Sequence, residues 1–338
     1  MLGLCVPERF GGTGLDPLTT AYALEGLGYG CRDNGLLFAL NAQMWAVQSH
    51  LVRFGSLEQQ ARYLPRLVGG EWIGAHGMTE PGAGSDSFAL TTTARRDGDD
   101  SLLNGTKTFV SNAPEADLFL LLATGNPARG FLGISAFLVE RGTLGLSVGP
   151  PIAKMGLRSA PMSEVILQDC RVPLAQRLGG EGNGGTIFRH SMTWERCCIL
   201  ATCVGTMAWQ LERVVDYART RRQFGRPIGG FQAVSHRIAE MRVRLDGARF
   251  LLYHAARLLS RGGSAGAEIA IAKLAISKAF VQSSLDTIQI HGGYGYASDS
   301  GYERDLRDAI GARIYSGTSE IQREIIAQAL GLDDGARG

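Results

Sequence analysis

The chain has 338 residues, 45% hydrophobic and 20% charged, with 34 Lys and Arg against 32 Asp and Glu. That length holds one large core or two to three domains, and the hydrophobic content excludes general disorder. A formal net charge of +2 builds no field for nucleic acid or an anionic membrane, so neither is expected as a partner. The cysteines Cys5, Cys31, Cys170, Cys197, Cys198 and Cys203 form no CxxC pair, and the last three fall inside an apolar helical pattern. Reduced core thiols are expected, with no disulfide and no metal site. The opening "MLGLCVPERFGG" has no basic n-region or apolar core of signal-peptide length, and no apolar run approaches a membrane span. A soluble cytoplasmic protein is expected.

From Leu18 to Val68 apolar residues recur at helical spacing, and "GSLEQQARYLPRL" offers Ser56 as an N-cap with Gln59 three residues on. From Ile73 to Val172 the runs "TTTARR", "SLLNGTKTFVSNA", "DLFLLLAT", "GISAFLVE" and "EVILQDCRVP" alternate with Asn-Gly, Asp-Gly and Pro-containing turns. They predict a strand-rich module, an antiparallel barrel or sandwich. After "LGGEGNGG" the helical period returns, with Trp194, Cys198, Ala201, Ala208, Leu211, Val215 and Ala218 on one core-facing stripe. Further helices are predicted over Phe231 to Arg261, Ala267 to Ile290 and Ser319 to Leu330, a set suited to a four-helix bundle. The expected fold is multidomain α+β: an N-terminal helical domain over 1–73, a middle β domain over 74–176 and a C-terminal helical bundle over 177–338.

There is no GxxxxGK[ST], no GxGxxG after a strand and no HExxH, so a P-loop, a Rossmann site and a zinc-protease site are all unsupported. What the chain does have is a series of Gly/Ser/Thr turns: "GMTEPGAGSD", "KTFVSN", "RRQFGRPIGGFQ", "QIHGGYGY" and "YSGTSEIQ". Small residues let backbone N–H groups approach a ligand, and the hydroxyls and amides hydrogen-bond uncharged heteroatoms. Singly, such turns only reverse a chain.

Taken in order, "YALEGLGYG", "MTEPGAGSDS", "NGTKTFVSNA", "KMGLRSAP", "ARTRRQFGRPI", "FQAVSHRIAEM", "QIHGGYGY" and "IYSGTSEIQR" resemble the successive signatures of the acyl-CoA dehydrogenases over nearly the whole chain. The resemblance implies FAD as cofactor and α,β-dehydrogenation of an acyl thioester. It implies that Met78, Thr79 and Ser85 lie along the flavin, with Ser85 also near the thioester, and that Phe109 and Ser111 stack on and hydrogen-bond it. The family more often has Trp and Thr at those two positions. Arg221, Phe224, Gln232, Gln289, Gly292 and Gly293 match residues for the FAD diphosphate and adenosine, contributed across subunits, so a homo-oligomer, dimer or tetramer, is implied. Thr318 and Glu320 match further cofactor contacts. The family's leading helices before "GLCVPERFGGTGLD" are not in the sequence, so the N-terminal domain is expected to be partial, from a late-assigned start or a truncation.

In most of the family the catalytic base is a Glu at the position here held by Ser316, and a hydroxyl without a basic partner cannot replace it. A minority branch, including isovaleryl-type enzymes, carries the Glu instead on a helix near the start of the C-terminal domain. In "SMTWERCCILA" Glu195 stands there, flanked on an apolar stripe by Trp194 and Cys198. Glu195 is therefore expected as the base, with Arg196, Ser316 and Gly317 contacting substrate. Against it stands the ordinary role of a Glu in the first turns of a helix, complementing the dipole. The pairing of "WER" with "YSGTSEIQR" also resembles members that oxidise short acyl or aminoacyl units on acyl or peptidyl carrier proteins in biosynthesis. Either CoA or a carrier protein is expected to hold the substrate, and an electron-transfer flavoprotein or oxygen to take the electrons. The competing expectations are a flavin monooxygenase or oxidase on the same fold, or a non-catalytic flavoprotein subunit.

Overall fold

In the computed structural model, which describes residues 1–263 and 265–332, the chain divides into two compact units. One comprises Met1–Asp16, Phe38–Lys154 and Arg158–Glu195; the other comprises Pro17–Leu37, Met155–Leu157 and the chain from Arg196 onward.

The first unit is built on an eight-stranded sheet. Its strands are β1 Gly74–Gly77, β2 Thr93–Asp97, β3 Asp100–Ser111, β4 Leu118–Thr124, β5 Ile134–Glu140, β6 Leu146–Val148, β7 Met162–Pro173 and β8 Arg177–Leu178. The order is β6-β7-β3-β2-β4-β5-β8, with β1 pairing in parallel on β4 and most other pairs antiparallel. All seven residues of β4 are buried, which is why "LFLLLAT" reads as a continuous apolar run. Its side chains alternate between two cores. Leu118, Leu120 and Leu122 join Val6, Val47, Leu51, Tyr63 and Leu64. Phe119, Leu121 and Ala123 join Leu103, Phe137, Val139, Val165 and Leu167 from β3, β5 and β7.

Around this sheet run α2 Asn34–Gln43, a π-helical turn Met44–Gln48, α3 Ser49–Phe54, α4 Leu57–Gly69 and α5 Gly184–Cys198. The expected capping box opens α4: Gln59 N donates to Ser56 Oγ at 3.1 Å, and Ser56 N donates to Gln59 Oε1 at 3.0 Å.

The second unit is helical: α1 Pro17–Gly30, α6 Ala201–Thr220, α7 Gln232–Ser260, α8 Gly266–His291, α9 Gly293–Tyr296, α10 Tyr302–Gly311 and α11 Ser319–Ala329. A two-residue-per-strand hairpin, β9 Arg222–Gln223 and β10 Arg226–Pro227, follows α6. Helix α8 packs on α6, α7, α10 and α11, and α1 packs on α6 and α7. The α1–α6 crossing is close because each helix offers a glycine. A Cβ on Gly28 would stand 2.0 Å from Thr202 O, and one on Gly205 would stand 2.0 Å from Glu25 O.

Two helical features differ from the pattern reading. The single stripe expected from Trp194 to Ala218 is two helices, α5 and α6, broken at Ile199–Leu200 with no Pro or Gly to announce it. Helix α10 lies where a loop was expected, since its buried side carries Asp305 and Asp308 in place of apolar residues. Asp305 accepts from Arg32 Nη2 at 2.6 Å, Asn34 Nδ2 at 3.2 Å and Gln210 Nε2 at 3.2 Å. Burial pushes its carboxyl up, and the Arg32 charge and the Gln210 bond pull it back. Among the described residues no helix is long and apolar enough to cross a membrane.

The turn after β1 is held by a buried ion pair. Lys107 Nζ, from β3, lies 2.7 Å from Glu80 Oε1 and donates to Met78 O at 3.3 Å. Glu80 also accepts from Thr91 N at 2.7 Å, Thr91 Oγ1 at 2.6 Å and Thr92 N at 3.0 Å. Burial alone would raise its carboxyl, but the bonds from Lys107, Thr91 and Thr92 outweigh it and bring the pKa from 4.5 down to about 2.

Two measurements check these constraints. Gly205→Ala forces a methyl into the α1–α6 contact and is expected to lower the urea unfolding free energy by about 1–3 kcal/mol. Glu80→Gln leaves Lys107 buried without its counter-charge and is expected to cost about 3–5 kcal/mol at neutral pH. A depressed carboxylate pKa stabilises the fold above its unfolded value and ceases to do so as pH falls through the folded one. The difference between wild type and Glu80→Gln should therefore shrink as pH drops from 4.5 towards 2.

Candidate active site

Strand β1 delivers Met78 buried and then reverses at once: Glu80 N donates to Ala83 O and Ala83 N to Glu80 O, both at 3.1 Å. Thr108 N donates to Thr79 O at 2.9 Å, which ties this turn to β3, while Ser85 is exposed at its far end. Between Lys107 and Val110 the β3–β7 register slips, and in that irregularity Phe109 takes φ 55° with its side chain left 60% exposed. A bulky residue at positive φ costs roughly 1–2 kcal/mol, and an apolar ring held outward at that cost is suited to lie against a planar ligand. Ser111 pairs with Met162 at the end of β3 and is half-buried. Met78, Thr79 and Phe109 thus belong to one neighbourhood of the first unit.

Glu195 lies in the last turn of α5, not its first, so complementing the helix dipole does not account for it. It is 9% exposed, buried as the apolar stripe predicts. Its neighbour Trp194 stacks on the fully buried Trp45, with centroids 5.9 Å apart and planes 19° apart. Glu195 is the last residue of the first unit and Arg196 the first of the second.

In the second unit Arg196 Nε donates to Ser316 O at 2.8 Å. Ser316 and Gly317 both have left-handed backbone, φ 55° and 89°. Gln322, fully buried, donates through Nε2 to Gly317 O at 3.0 Å, and Ser319 N donates to Arg313 O at 3.0 Å. The turn is therefore clamped through its carbonyls. Thr318 caps α11, accepting from Ile321 N, whereas Glu320 is exposed and paired with Arg323 at 2.7 Å.

Arg221, Gly292 and Gly293 come together in a cleft of about 600 Å³ whose walls also include Tyr217, His291 and Tyr294. The Arg221 guanidinium sits 5.9 Å over the Tyr294 ring. Gly292 has φ 60° and ψ −131°, a conformation that suits glycine, and a Cβ on it or on Gly293 would meet nothing within 4 Å. Phe224 takes φ 49°, is 93% exposed and meets Phe231 edge-on; Gln232 opens α7 and Gln289 is exposed near the end of α8. None of these last three lines the cleft.

Within the first unit, the outward Phe109 ring has the chemistry to lie against a planar flavin. Within the second, the Arg221 guanidinium and the approachable backbone at Gly292 and Gly293 have the chemistry to bind a diphosphate.

Other features carried no local signal. Glu80 and Lys107 lie within quoted motifs yet read as turn and strand residues. His50 and His76 stack at 5.6 Å, and His76 stacks on Phe188. Burial, then His76 and His190, holds His50 well below the usual range; burial, then the Lys107 charge, brings His76 to about 4. Both rings are neutral at neutral pH.

The family models described as acyl-CoA dehydrogenase N-terminal, middle and C-terminal domains match residues 1–71, 75–170 and 182–331. The chain is 48% identical over 333 residues to the L-prolyl-[peptidyl-carrier protein] dehydrogenase of Pseudomonas fluorescens, covering 98% of this chain and 88% of that protein. It is similar to the crystal structure of the prolyl acyl carrier protein oxidase AnaB, with TM-score 0.96 and 51% identity over 98% of this chain and 88% of that one. It is similar also to PigA with FAD and proline, with TM-score 0.96 and 47% identity over 98% and 86% of the two chains. With three consecutive domain matches and these identities, the chain belongs to the acyl-CoA dehydrogenase family.

Proposed function

We propose that this chain is an FAD-dependent oxidoreductase that introduces an α,β double bond into a short acyl or aminoacyl thioester, with Glu195 as the base. The observation that carries the reading is a buried carboxylate at the end of α5 in a chain whose 313–322 turn has Ser316 in place of a Glu. Bound FAD supplies the acceptor for the β hydrogen and its two electrons.

The rest falls to this chain's residues. A thioester α C–H is a weak acid, so the Glu195 carboxylate must take the proton while donors stabilise charge on the carbonyl oxygen. Backbone N–H groups of the Ser316–Gly317 turn are suited to that donation, and the left-handed turn keeps its shape because Arg196 and Gln322 hold its carbonyls. Met78, Thr79, Ser85, Phe109 and Ser111 hold the flavin. Arg221, Phe224, Gln232, Gln289, Gly292 and Gly293 hold the diphosphate and adenosine in a homo-oligomer. Thr318 adds a cofactor contact beside its capping role, and Glu320 another beside its pair with Arg323.

L-Proline on a peptidyl carrier protein is the substrate we favour, supported by the carrier-protein activities named for relatives 48% and 51% identical to this chain. An electron-transfer flavoprotein or oxygen is the acceptor and the cytoplasm the location. The limits 1–73, 74–176 and 177–338 are kept for the family's three domains, supported by the three family matches.

Anaerobic stopped-flow reduction of the FAD-loaded protein tests this. L-Prolyl-carrier protein should bleach the flavin, and Glu195→Gln should slow bleaching by about 10²–10⁴-fold, the usual share of a general base. Undiminished reduction by Glu195→Gln would remove it as the base; equal reduction by L-prolyl-CoA would count against the carrier protein.

A further inference from the structure

We infer that Trp45 is a positioning residue for the reaction: its stack on Trp194 fixes the rotation of the last turn of α5, and with it the direction in which Glu195 presents its carboxylate. This rests on the reading of Glu195 as the base.

The helical run from Asn34 to Phe54 does not keep one period. At Met44–Gln48 it widens into a π turn, all five residues of which are buried. Such π turns are rare and are found frequently at functional sites. Trp45 lies in this turn and is held at two points, one on the indole and one on the backbone. Its Nε1–H donates to Asn41 Oδ1 at 2.7 Å, and the backbone O of Trp45 accepts from the Ser49 hydroxyl at 2.5 Å.

The segment carrying the indole is fastened to the sheet. Gly74 N, at the start of β1, donates to Gln43 Oε1 at 2.9 Å, and Gln43 Nε2 donates to Leu67 O at 2.9 Å. Asn112 Nδ2, just beyond β3, donates to Ala39 O at 3.0 Å. Trp45 is therefore a strut with a rigid base, and its free face meets Trp194.

Trp194 and Glu195 are consecutive on α5, so their side chains leave the axis about 100° apart. Clamping one ring sets the angle of the other side chain. Simple core filling explains less, because Trp194 is only half-buried whereas Trp45 is sealed. A residue that acts through geometry affects the chemical step more than binding, and a displacement of about 1 Å can cost about 10²-fold in rate.

The test uses the full chain loaded with FAD and two thioesters, L-prolyl-carrier protein and butyryl-CoA. Trp45→Leu is expected to lower the limiting rate of flavin reduction roughly 10–100-fold, with KM changed less than about twofold, and to displace the pH profile of that rate. Trp45→Phe keeps an aromatic face against Trp194 and should restore most of the rate. In the protein without substrate, the exciton signal of the paired indoles in circular dichroism should vanish in Trp45→Leu.

If Trp45→Leu does not fold, Trp194→Leu removes the same contact from its half-exposed side and should show the same split between kcat and KM. A wild-type limiting rate per FAD-loaded molecule and an unmoved pH profile in the folded variant would overturn the positioning role. Glu195→Gln run alongside separates the two ideas: if it is inactive while Trp45→Leu is fully active, only the positioning role fails; if it is active, the base assignment fails first.

Discussion

Lys107 and Glu80 are opposite charges withdrawn from water inside the first unit, and much of what that unit presents is arranged around them. Desolvating either ion costs several kcal/mol, so the pair persists only because the carboxylate is saturated by further donors and the ammonium reaches the Met78 carbonyl. Those bonds join the turn after β1, the residues leading into β2 and the middle of β3. Met78 and Thr79 lie on the first of these pieces and Phe109 lies two residues beyond Lys107. The same pair therefore holds the turn in shape and anchors the strand from which the aromatic ring is pushed outward.

In the second unit the turn is held through its carbonyls. Ser316 and Gly317 take a backbone conformation that a serine adopts only under constraint, and the constraint comes from side chains binding carbonyls. An Arg at the end of one helix and a Gln in the first turns of another do this, so the turn's N–H groups carry the shape while the serine side chain stays small. Elsewhere in the unit the packing of α1 on α6 depends on Gly28 and Gly205, where backbone meets backbone, and α10 is anchored by Asp305 rather than by an apolar stripe.

Much of the fold was legible. The capping residues Ser56 and Gln59, the strand runs between Asn-Gly and Asp-Gly turns, and the long α7 and α8 follow from local rules of period and termination. The break between α5 and α6 was not legible, because Ile199 and Leu200 carry no breaker. Helix α10 was not, because its inward residues are aspartates whose burial is made tolerable by Arg32, Asn34 and Gln210 from distant parts of the chain. In the candidate site, Glu195's burial could be read from its place among Trp194 and Cys198. The outward Phe109, the strained Ser316 and the roles of Glu80 and Lys107 could not.

The sequence by itself determined the family, through ordered motifs, and supplied the pairing of Glu195 with Ser316 on which the proposed base rests. Both are statements about which chemical groups occur and in what order. Tertiary structure alone decided how those groups are held: the stack of Trp45 on Trp194, the bulge that exposes Phe109, and the carbonyl clamps on the 313–322 turn. Each depends on hydrogen bonds or ring contacts between residues far apart in the chain, and period and propensity describe only neighbours.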